Sequence, residues 1–293
     1  MRNLQKAYCM RVRVALARAL AVTLSIAACF APGADGRWLS GGVSGLVVTP
    51  AIIQKELSRF LWLPDTRVGH TNVANRGTTP IVVDFTIAGI AHTEDGSIDV
   101  LPCPPEVGAA LILSPAGSVT VMPGRAATIR LDLDRAYADT PGRSGLCAAL
   151  IISSAPVRTR PAPQGMEVGS MVVVPVMVKL PWRDRARLEV VDARVESSDK
   201  EDGRHTLALK VANEGGAYQR VDGRVRITAA DGTRAAEAEL ESALVLPGCT
   251  RAFRAELRGP ELPPGRYLAD AQIRADGKAA GGARLTVSSL GRP

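Results

Sequence analysis

The sequence contains few of the residues on which carbohydrate-binding and nucleobase-binding sites depend. Phe, Trp and Tyr together make up 4 % of its 293 residues. Stacked aromatic platforms are therefore not favoured. With a hydrophobic content of 46 %, the cores must be built mainly from Val, Leu, Ile and Ala.

Metal-binding and catalytic spacings are also missing. CxxC, HExxH and Asp-rich calcium loops do not occur, and Gly42–Gly45 does not complete a Gly-x-Ser-x-Gly elbow. The only histidines do not stand at metal-ligand spacing: His70, His92 and His205. We therefore predict no metal, no cofactor and no enzymatic activity.

The first 36 residues have the pattern of an export signal. Basic residues from Arg2 to Arg13 precede the apolar stretch Val14–Ala28, which only Arg18 interrupts, and small residues follow it. A bilayer-spanning helix needs about 20 residues, more than this stretch offers. We predict a signal peptide over residues 1–36, with a buried N-terminal helix as the alternative, and a periplasmic or secreted protein.

Two cleavage sites compete within this segment. Ala34-Asp35-Gly36 fits ordinary cleavage before Arg37, which we slightly favour. Ile26-Ala27-Ala28-Cys29 resembles a lipobox, which makes Cys29 the lipidation candidate. No later apolar run is long enough to span a bilayer, so we expect membrane contact only through a lipid anchor.

More than half of the formal net positive charge of the chain lies in the predicted signal. The formal net charge of +7 falls to +3 without residues 1–36, which leaves 31 basic and 28 acidic residues. These charges alternate in sign without a basic block, so we predict no nucleic-acid binding.

Turn signals recur every 8 to 14 residues after Gly45, with short β-branched runs between them. This spacing predicts an all-β fold, and the length suits two tandem immunoglobulin-like β-sandwiches. The predicted domains cover residues 45–181 and 188–290, joined by a linker at 182–187. The one helix-like stretch, Ala51–Leu61, is predicted to be a short helix or an irregular loop.

Alternation of apolar and polar residues indicates half-buried strands in the second domain. Leu207, Leu209 and Val211 should face its core, and Val225 and Ile227 likewise. Asp-Gly pairs at 231–232 and 276–277 predict tight hairpin turns. Tyr267 is expected to be a core aromatic, with a tyrosine at a strand corner as the alternative.

Three stretches of the first domain resemble the N-terminal domain of periplasmic pilus-assembly chaperones, the immunoglobulin-like family of the chaperone–usher pathway. They are Gly45–Pro50, Asn75–Phe85, and the set Leu113–Pro115, Val121–Gly124 and Ile129-Arg130. The resemblance implies a protein that holds or assembles an exported subunit by β-strand pairing. Two departures are that Ala51 and Ile52 stand where an anchoring Arg is expected and that Arg135–Gly145 lacks the family's acidic pattern.

In that family an apolar strand near the end of the domain completes the partner's sandwich, and a Lys helps to anchor the partner's terminal carboxylate. Met171–Val178 has the character of such a strand, although a plain buried strand would look the same. The resemblance thus implies a partner-binding set: Val172, Val174, Val176, Val178 and Lys179.

The layout is also similar to that of cell-wall interaction proteins that contain a peptidoglycan-binding domain. Asp95-Gly96-Ser97 in the first domain and Pro264–Tyr267 in the second carry this likeness. The alternative function is therefore a structural or adhesive protein that binds peptidoglycan or another cell-envelope component.

Three cysteines follow the predicted signal. In an oxidising compartment a bridge is expected, and Cys103 with Cys147 is the natural pair because both fall in the first domain. Two free buried thiols are the alternative. Cys249 would then be unpaired, either buried or available to a partner.

Overall fold

The computed structural model describes residues 45–60, 63–64, 66–157, 169–180, 186–197, 205–260 and 262–289. The predicted signal peptide, Cys29 and most of the predicted linker lie outside these ranges. No helix in the described ranges is long and apolar enough to cross a membrane.

The described chain is almost entirely β and forms two sandwiches, which confirms the predicted all-β, tandem immunoglobulin-like fold. The elements of the first sandwich are β1 (Leu46–Thr49), β2 (Ile53–Glu56), β3 (Arg59–Phe60), β4 (Leu63–Pro64), β5 (Arg67–Asn75), β6 (Ile81–His92), β7 (Ile98–Leu101), α1 (Pro105–Ala110), β8 (Leu111–Ser114), β9 (Ser118–Val121), β10 (Ala126–Leu133), α2 (Arg135–Asp139), β11 (Gly145–Pro156) and β12 (Ser170–Lys179).

The first sandwich packs a four-stranded sheet against a six-stranded one. The strand order is β1-β5-β10-β8 in the first sheet and β2-β12-β11-β6-β7 in the second, where β9 also pairs with β6. Strands β3 and β4 form a separate two-stranded sheet. Val, Leu and Ile side chains from both large sheets fill one continuous core.

The second sandwich is simpler. Its elements are β13 (Leu188–Ser197), β14 (His205–Asn213), β15 (Gln219–Thr228), β16 (Arg234–Val245), β17 (Thr250–Glu256), β18 (Gly265–Ala275) and β19 (Lys278–Ser289). A three-stranded sheet, β13-β14-β17, faces a four-stranded sheet, β16-β15-β18-β19. This sandwich has a core of its own.

The predicted alternation is confirmed in the second core. Leu207, Leu209 and Val211 are fully buried, as are Val225 and Ile227. The hydroxyl of Tyr267 donates a 2.8 Å hydrogen bond to the carbonyl of Pro263 four residues upstream. Tyr267 is therefore a core aromatic, as expected, and it also makes the hydrogen bond expected of a tyrosine at a strand corner, which was the alternative.

The prediction of a short helix or irregular loop over Ala51–Leu61 was wrong for Ile53–Glu56 and for Arg59–Phe60, which are strands. Ile53–Glu56 is a strand that runs parallel to β12. Ile53 and Leu57, four residues apart, are both buried, and that spacing suggested a helix. Pairing with β12 overrides this weak local signal. The opening segment is thus divided between sheets, with β1 in one and β2 in the other.

The two sandwiches repeat one structural module. Val73-Ala74-Asn75-Arg76-Gly77 and Val211-Ala212-Asn213-Glu214-Gly215 each end a strand with a buried Asn. The amide of Asn75 donates to Thr79 and Val121, and that of Asn213 donates to Ala217 and Val245. Each side-chain oxygen accepts from the Gly two residues on. Each Asn therefore fastens a turn of its own to a distant strand.

Candidate functional site

Strand β12 has one paired edge and one that is only partly covered. Along its inner edge it pairs with β11 over its whole length, from Ser170 to Lys179. Along its outer edge β2 pairs only with Val176–Lys179. Among the described residues no strand pairs with the outer edge over Met171–Pro175. This segment, the open edge, is the candidate binding site.

The direction of the main-chain groups on the open edge follows from the pairing. Leu57 N–H donates to the carbonyl of Lys179 at 3.0 Å, so Lys179 faces the β2 side. Main-chain groups along a strand point alternately to its two neighbours. Met171, Val173 and Pro175 share the parity of Lys179, and their main-chain groups therefore face the open edge. Pro175 has no N–H and offers only its carbonyl.

The side chains of β12 form two rows with different surroundings. Val174, Val176 and Val178 are fully buried in the first core, and Val172 packs against that core. Met171 is 56 % exposed, and Val173 and Pro175 are half-buried. The valines predicted to enter a partner are therefore packed in or against the chain's own first core. Met171, Val173 and Pro175 form the row that is accessible to a partner.

Lys179 is buried and has its partners within the chain. It is 5 % exposed, and its ammonium donates to Gln219 Oε1 at 3.0 Å and forms an ion pair with Asp276. The ammonium also lies 5.4 Å from the centre of the Tyr218 ring. Gln219 and Asp276 belong to the second sandwich, so Lys179 joins the two sandwiches. A carboxylate from a partner would have to compete with Asp276 for it.

A small apolar cluster lies beside this ion pair, between the sandwiches. Its buried members are Met177, Tyr218 and Leu246, and the partly buried residues that pack on it are Ile52, Ile90, Cys147, Leu244 and Cys249. We call this group the interface cluster. Desolvation raises the pKa of Cys147 and of Tyr218 to about 12 each. Both groups are therefore protonated at neutral pH.

His92 makes a polar contact across the same boundary. Its Nε2 accepts a 3.0 Å hydrogen bond from Leu246 N–H. Its Nδ1 lies 2.9 Å from the carbonyl of Thr93. Burial is the main reason that the pKa of His92 is lowered. A neutral ring with its proton on Nδ1 satisfies both contacts.

The bridge predicted between Cys103 and Cys147 is not formed in the structure, where Cys103, Cys147 and Cys249 are all free thiols. Cys147 faces the interface cluster, whereas its strand neighbours Leu146 and Ala148 face the first core. Cys103 lies beside α1, whose Ala110 is part of that core. Cys103 is thus placed beside α1, whereas Cys147 packs against the interface cluster.

The histidines and the other residue types that bind metals do not form a shared site in the described part of the chain. No group of three His, Cys, Asp or Glu residues that could hold a metal ion occurs in the described part of the chain. His70 is exposed on β5, whereas His205 is buried and neither of its ring nitrogens has a hydrogen-bond partner. The sequence did not single out His92 or Asp276. Only the Asp-Gly turn signal at 276–277 pointed to the second of them.

No family model matches the sequence, and no curated protein matches it. Among solved structures the chain is similar to the class 5 fimbriae chaperone CfaA, with 10 % identity, a TM-score of 0.43, and coverage of 84 % of this chain and 100 % of that one. It is similar to a chain of a chaperone–tip adhesin complex of CFA/I fimbriae, with 11 % identity, a TM-score of 0.44, and coverage of 83 % and 98 %.

A third similar structure is that of the Salmonella enterica SafA pilin in complex with the SafB chaperone. The identity is 13 %, the TM-score is 0.40, and the coverage is 84 % of this chain and 98 % of that one. Each of these three solved structures is of a fimbrial or pilus chaperone or of a complex that contains one.

Proposed function

We propose that this chain is a periplasmic, chaperone-like binding protein that holds or assembles an exported pilus or surface subunit by β-strand pairing. The observation that carries the proposal is the open edge of β12. Its outer main-chain groups have no strand partner among the described residues, and β2 already occupies the rest of that edge.

The open edge suits one kind of occupant, an extended segment of a subunit whose own sandwich lacks a strand. Main-chain hydrogen bonds to Met171 and Val173 would give affinity, and alternate side chains would give specificity. The row formed by Met171, Val173 and Pro175 is wholly apolar. A row of this kind fits the exposed core of an incomplete sandwich better than it fits a polar surface.

The two rows of β12 give opposite results when they receive a charge. Val176→Asp places a carboxylate in the first core, and we expect the chain to lose its cooperative unfolding transition. Val173→Asp places the same group on the outer row, and we expect a folded chain that no longer binds a subunit. Thermal unfolding of both variants, followed by circular dichroism, shows whether each one is folded. A folded Val176→Asp variant would contradict the assignment of the rows.

Removal of a single main-chain N–H on the open edge tests whether a partner binds β12 through main-chain hydrogen bonds. Val173→Pro removes an outward N–H and leaves the pairing with β11 intact, since Pro175 already occupies an equivalent position. Val173→Thr keeps the N–H and a β-branched shape, so it is the matched control. A photo-crosslinker at Met171, introduced in the exporting cell, identifies the bound protein by mass spectrometry.

We expect a crosslink to an exported subunit, lost with Val173→Pro and retained with Val173→Thr. The same preparations are incubated with purified peptidoglycan. Sedimentation with peptidoglycan, together with no crosslinked subunit at Met171, would overturn the proposal in favour of an envelope-binding role. Equal crosslinking in the Pro and Thr variants would exclude strand pairing at this edge.

A further inference from the structure

We propose that Cys147 and Cys249 form a disulfide bond that joins the two sandwiches when the chain is in an oxidising environment. This inference goes beyond the proposed function, since it holds whether or not a subunit binds β12.

Both cysteines pack against the same small group of buried residues. Cys147 comes from β11 of the first sandwich, and Cys249 comes from the turn between β16 and β17 of the second. Both belong to the interface cluster and pack against its buried members Met177, Tyr218 and Leu246. Cys147 is paired with Met177 across the β11–β12 ladder, so their side chains are direct neighbours. The two thiols therefore come from different sandwiches and meet at one small cluster.

The electrostatics of Cys147 agree with this placement. Burial is the largest cause of its raised pKa, and a negative charge on Cys249 is a further cause that acts in the same direction. The main-chain N–H of Tyr218 bonds to the Cys147 sulfur and acts in the opposite direction. Two groups that shift the pKa of this thiol, Tyr218 N–H and Cys249, thus come from the second sandwich.

The position of Cys249 is fixed by the repeated module. Leu246-Pro247-Gly248-Cys249 is a turn in which Cys249 N–H donates to Leu246 at 3.2 Å, and Asn213 N–H donates to the Cys249 carbonyl at 3.0 Å. In the first sandwich the matching turn is Met122-Pro123-Gly124-Arg125, with Arg125 N–H bonded to Met122. The matching position thus carries an exposed Arg in one sandwich and a Cys at the interface cluster in the other.

Cys103 is not a competing partner for either thiol. It lies by α1, where its sulfur is 3.2 Å from the position that a Cβ on Gly108 would occupy, and its thiol donates to Pro104. It is not among the residues that pack against the interface cluster. Among the described cysteines, only Cys147 and Cys249 share a set of neighbours.

The reaction is an exchange with a disulfide oxidant, such as oxidised glutathione or an oxidised dithiol protein. The Cys249 thiolate attacks the oxidant, breaks its S–S bond and releases one thiolate. The Cys147 thiolate then attacks the Cys249 sulfur and releases the second. Two protein S–H bonds are lost and one S–S bond forms, while the oxidant takes up both electrons as two thiols after protonation. We expect slow oxidation at neutral pH, since little of Cys147 is ionised.

The test is peptide mapping of the full chain without reduction, after equilibration with oxidised and reduced glutathione. We expect a linked peptide pair that contains Cys147 and Cys249, and an unlinked Cys103. The pair should persist in Cys103→Ser and disappear in Cys147→Ser and in Cys249→Ser. Because the wild-type map alone assigns the bond, failure of a variant to fold leaves the test intact.

Thermal unfolding gives a second measurement. The bond closes a loop of about 100 residues, and we expect the oxidised chain to unfold about 5–10 °C above the reduced chain. Cys249→Ser should abolish this difference, whereas Cys103→Ser should not. A Cys103–Cys147 linkage, or three free thiols after equilibration with a strongly oxidising buffer, would overturn the inference.

Discussion

The main-chain N–H of Leu246 donates a 3.0 Å hydrogen bond to Nε2 of His92 and so links the second sandwich to the first. The opposite ring nitrogen, Nδ1, lies 2.9 Å from the carbonyl of Thr93 and donates to it. A second ring proton would have to sit on Nε2, where it would face another donor. The contact therefore exists only while His92 is neutral.

We expect acid to weaken the folded chain through His92. Its pKa is lowered from 6.5 in the folded state, by burial first and by the positive charge of Arg251, while Asp95 acts in the opposite direction. Between that lowered value and 6.5 the unfolded chain binds more protons. Stability due to His92 is thus complete above about pH 6.5 and declines as the pH falls through and below it.

Urea unfolding at a series of pH values from 8 to 5 measures this effect. His92→Ala should be less stable than wild type at pH 8 and should show a shallower decline toward pH 5. His70→Ala is the matched control, since His70 is exposed on β5. Parallel pH profiles for wild type and His92→Ala would contradict the assignment.

The ion pair of Lys179 with Asp276 should contribute more than a surface pair. The side chain of Lys179 is 7 % exposed and that of Asp276 is 45 % exposed, so water screens only one of the charges well. Lys179→Met leaves the buried amide oxygen of Gln219 without this donor. We expect a loss of about 1–3 kcal/mol in the free energy of unfolding.

Lys210→Met provides the comparison for this pair, since Lys210 also joins the sandwiches through Glu94 but at more exposed positions. We expect it to lose less than about 1 kcal/mol. Chemical denaturation of both variants gives the two values. Equal losses would show that burial does not strengthen the Lys179 pair.

The two buried asparagines should be equivalent in their effect on stability. Asn75→Ala and Asn213→Ala each remove two amide donations to main-chain carbonyls and one acceptor for a turn N–H. Because the carbonyls of Val121 and Val245 stay buried without these donors, we expect each variant to lose about 2–4 kcal/mol. Asn72→Ala is the control, since Asn72 accepts only an exposed hydrogen bond from Thr128. A loss below 1 kcal/mol for either buried Asn would be inconsistent with this role.

Local pattern was enough to predict most strands, but it did not predict the face that β12 presents. Leu207, Leu209 and Val211 alternate with less apolar residues, so the buried side could be read directly. In β12 both rows are apolar, because Met171, Val173 and Pro175 alternate with valines. Period-two reasoning then has nothing to distinguish the rows, and only the packing of the sheets decides.

The contacts between the two sandwiches could not be predicted from local sequence patterns, because the residues that make them are far apart in the chain. Lys179 and Asp276 are 97 residues apart, and His92 and Leu246 are 154 apart. No spacing rule relates such pairs. The repeated module was present in the sequence, as Val-Ala-Asn-x-Gly at 73–77 and 211–215 and Val-x-Pro-Gly at 121–124 and 245–248. A search for internal repeats would have found it.

Pro175 and β2 together limit how much of an incoming chain β12 can accept. In the described part of the chain, no strand lies along the outer edge at the five positions Met171–Pro175, which at about 3.3 Å per residue is about 17 Å of strand. Two outward N–H groups, those of Met171 and Val173, are the main-chain donors that lie within this length. Under the proposed function, a partner segment would pair with about five residues of β12 before it reaches Pro175 and the part of the edge that β2 occupies. We expect an edge this short, with two outward N–H groups, to favour temporary retention and release of a subunit over permanent assembly.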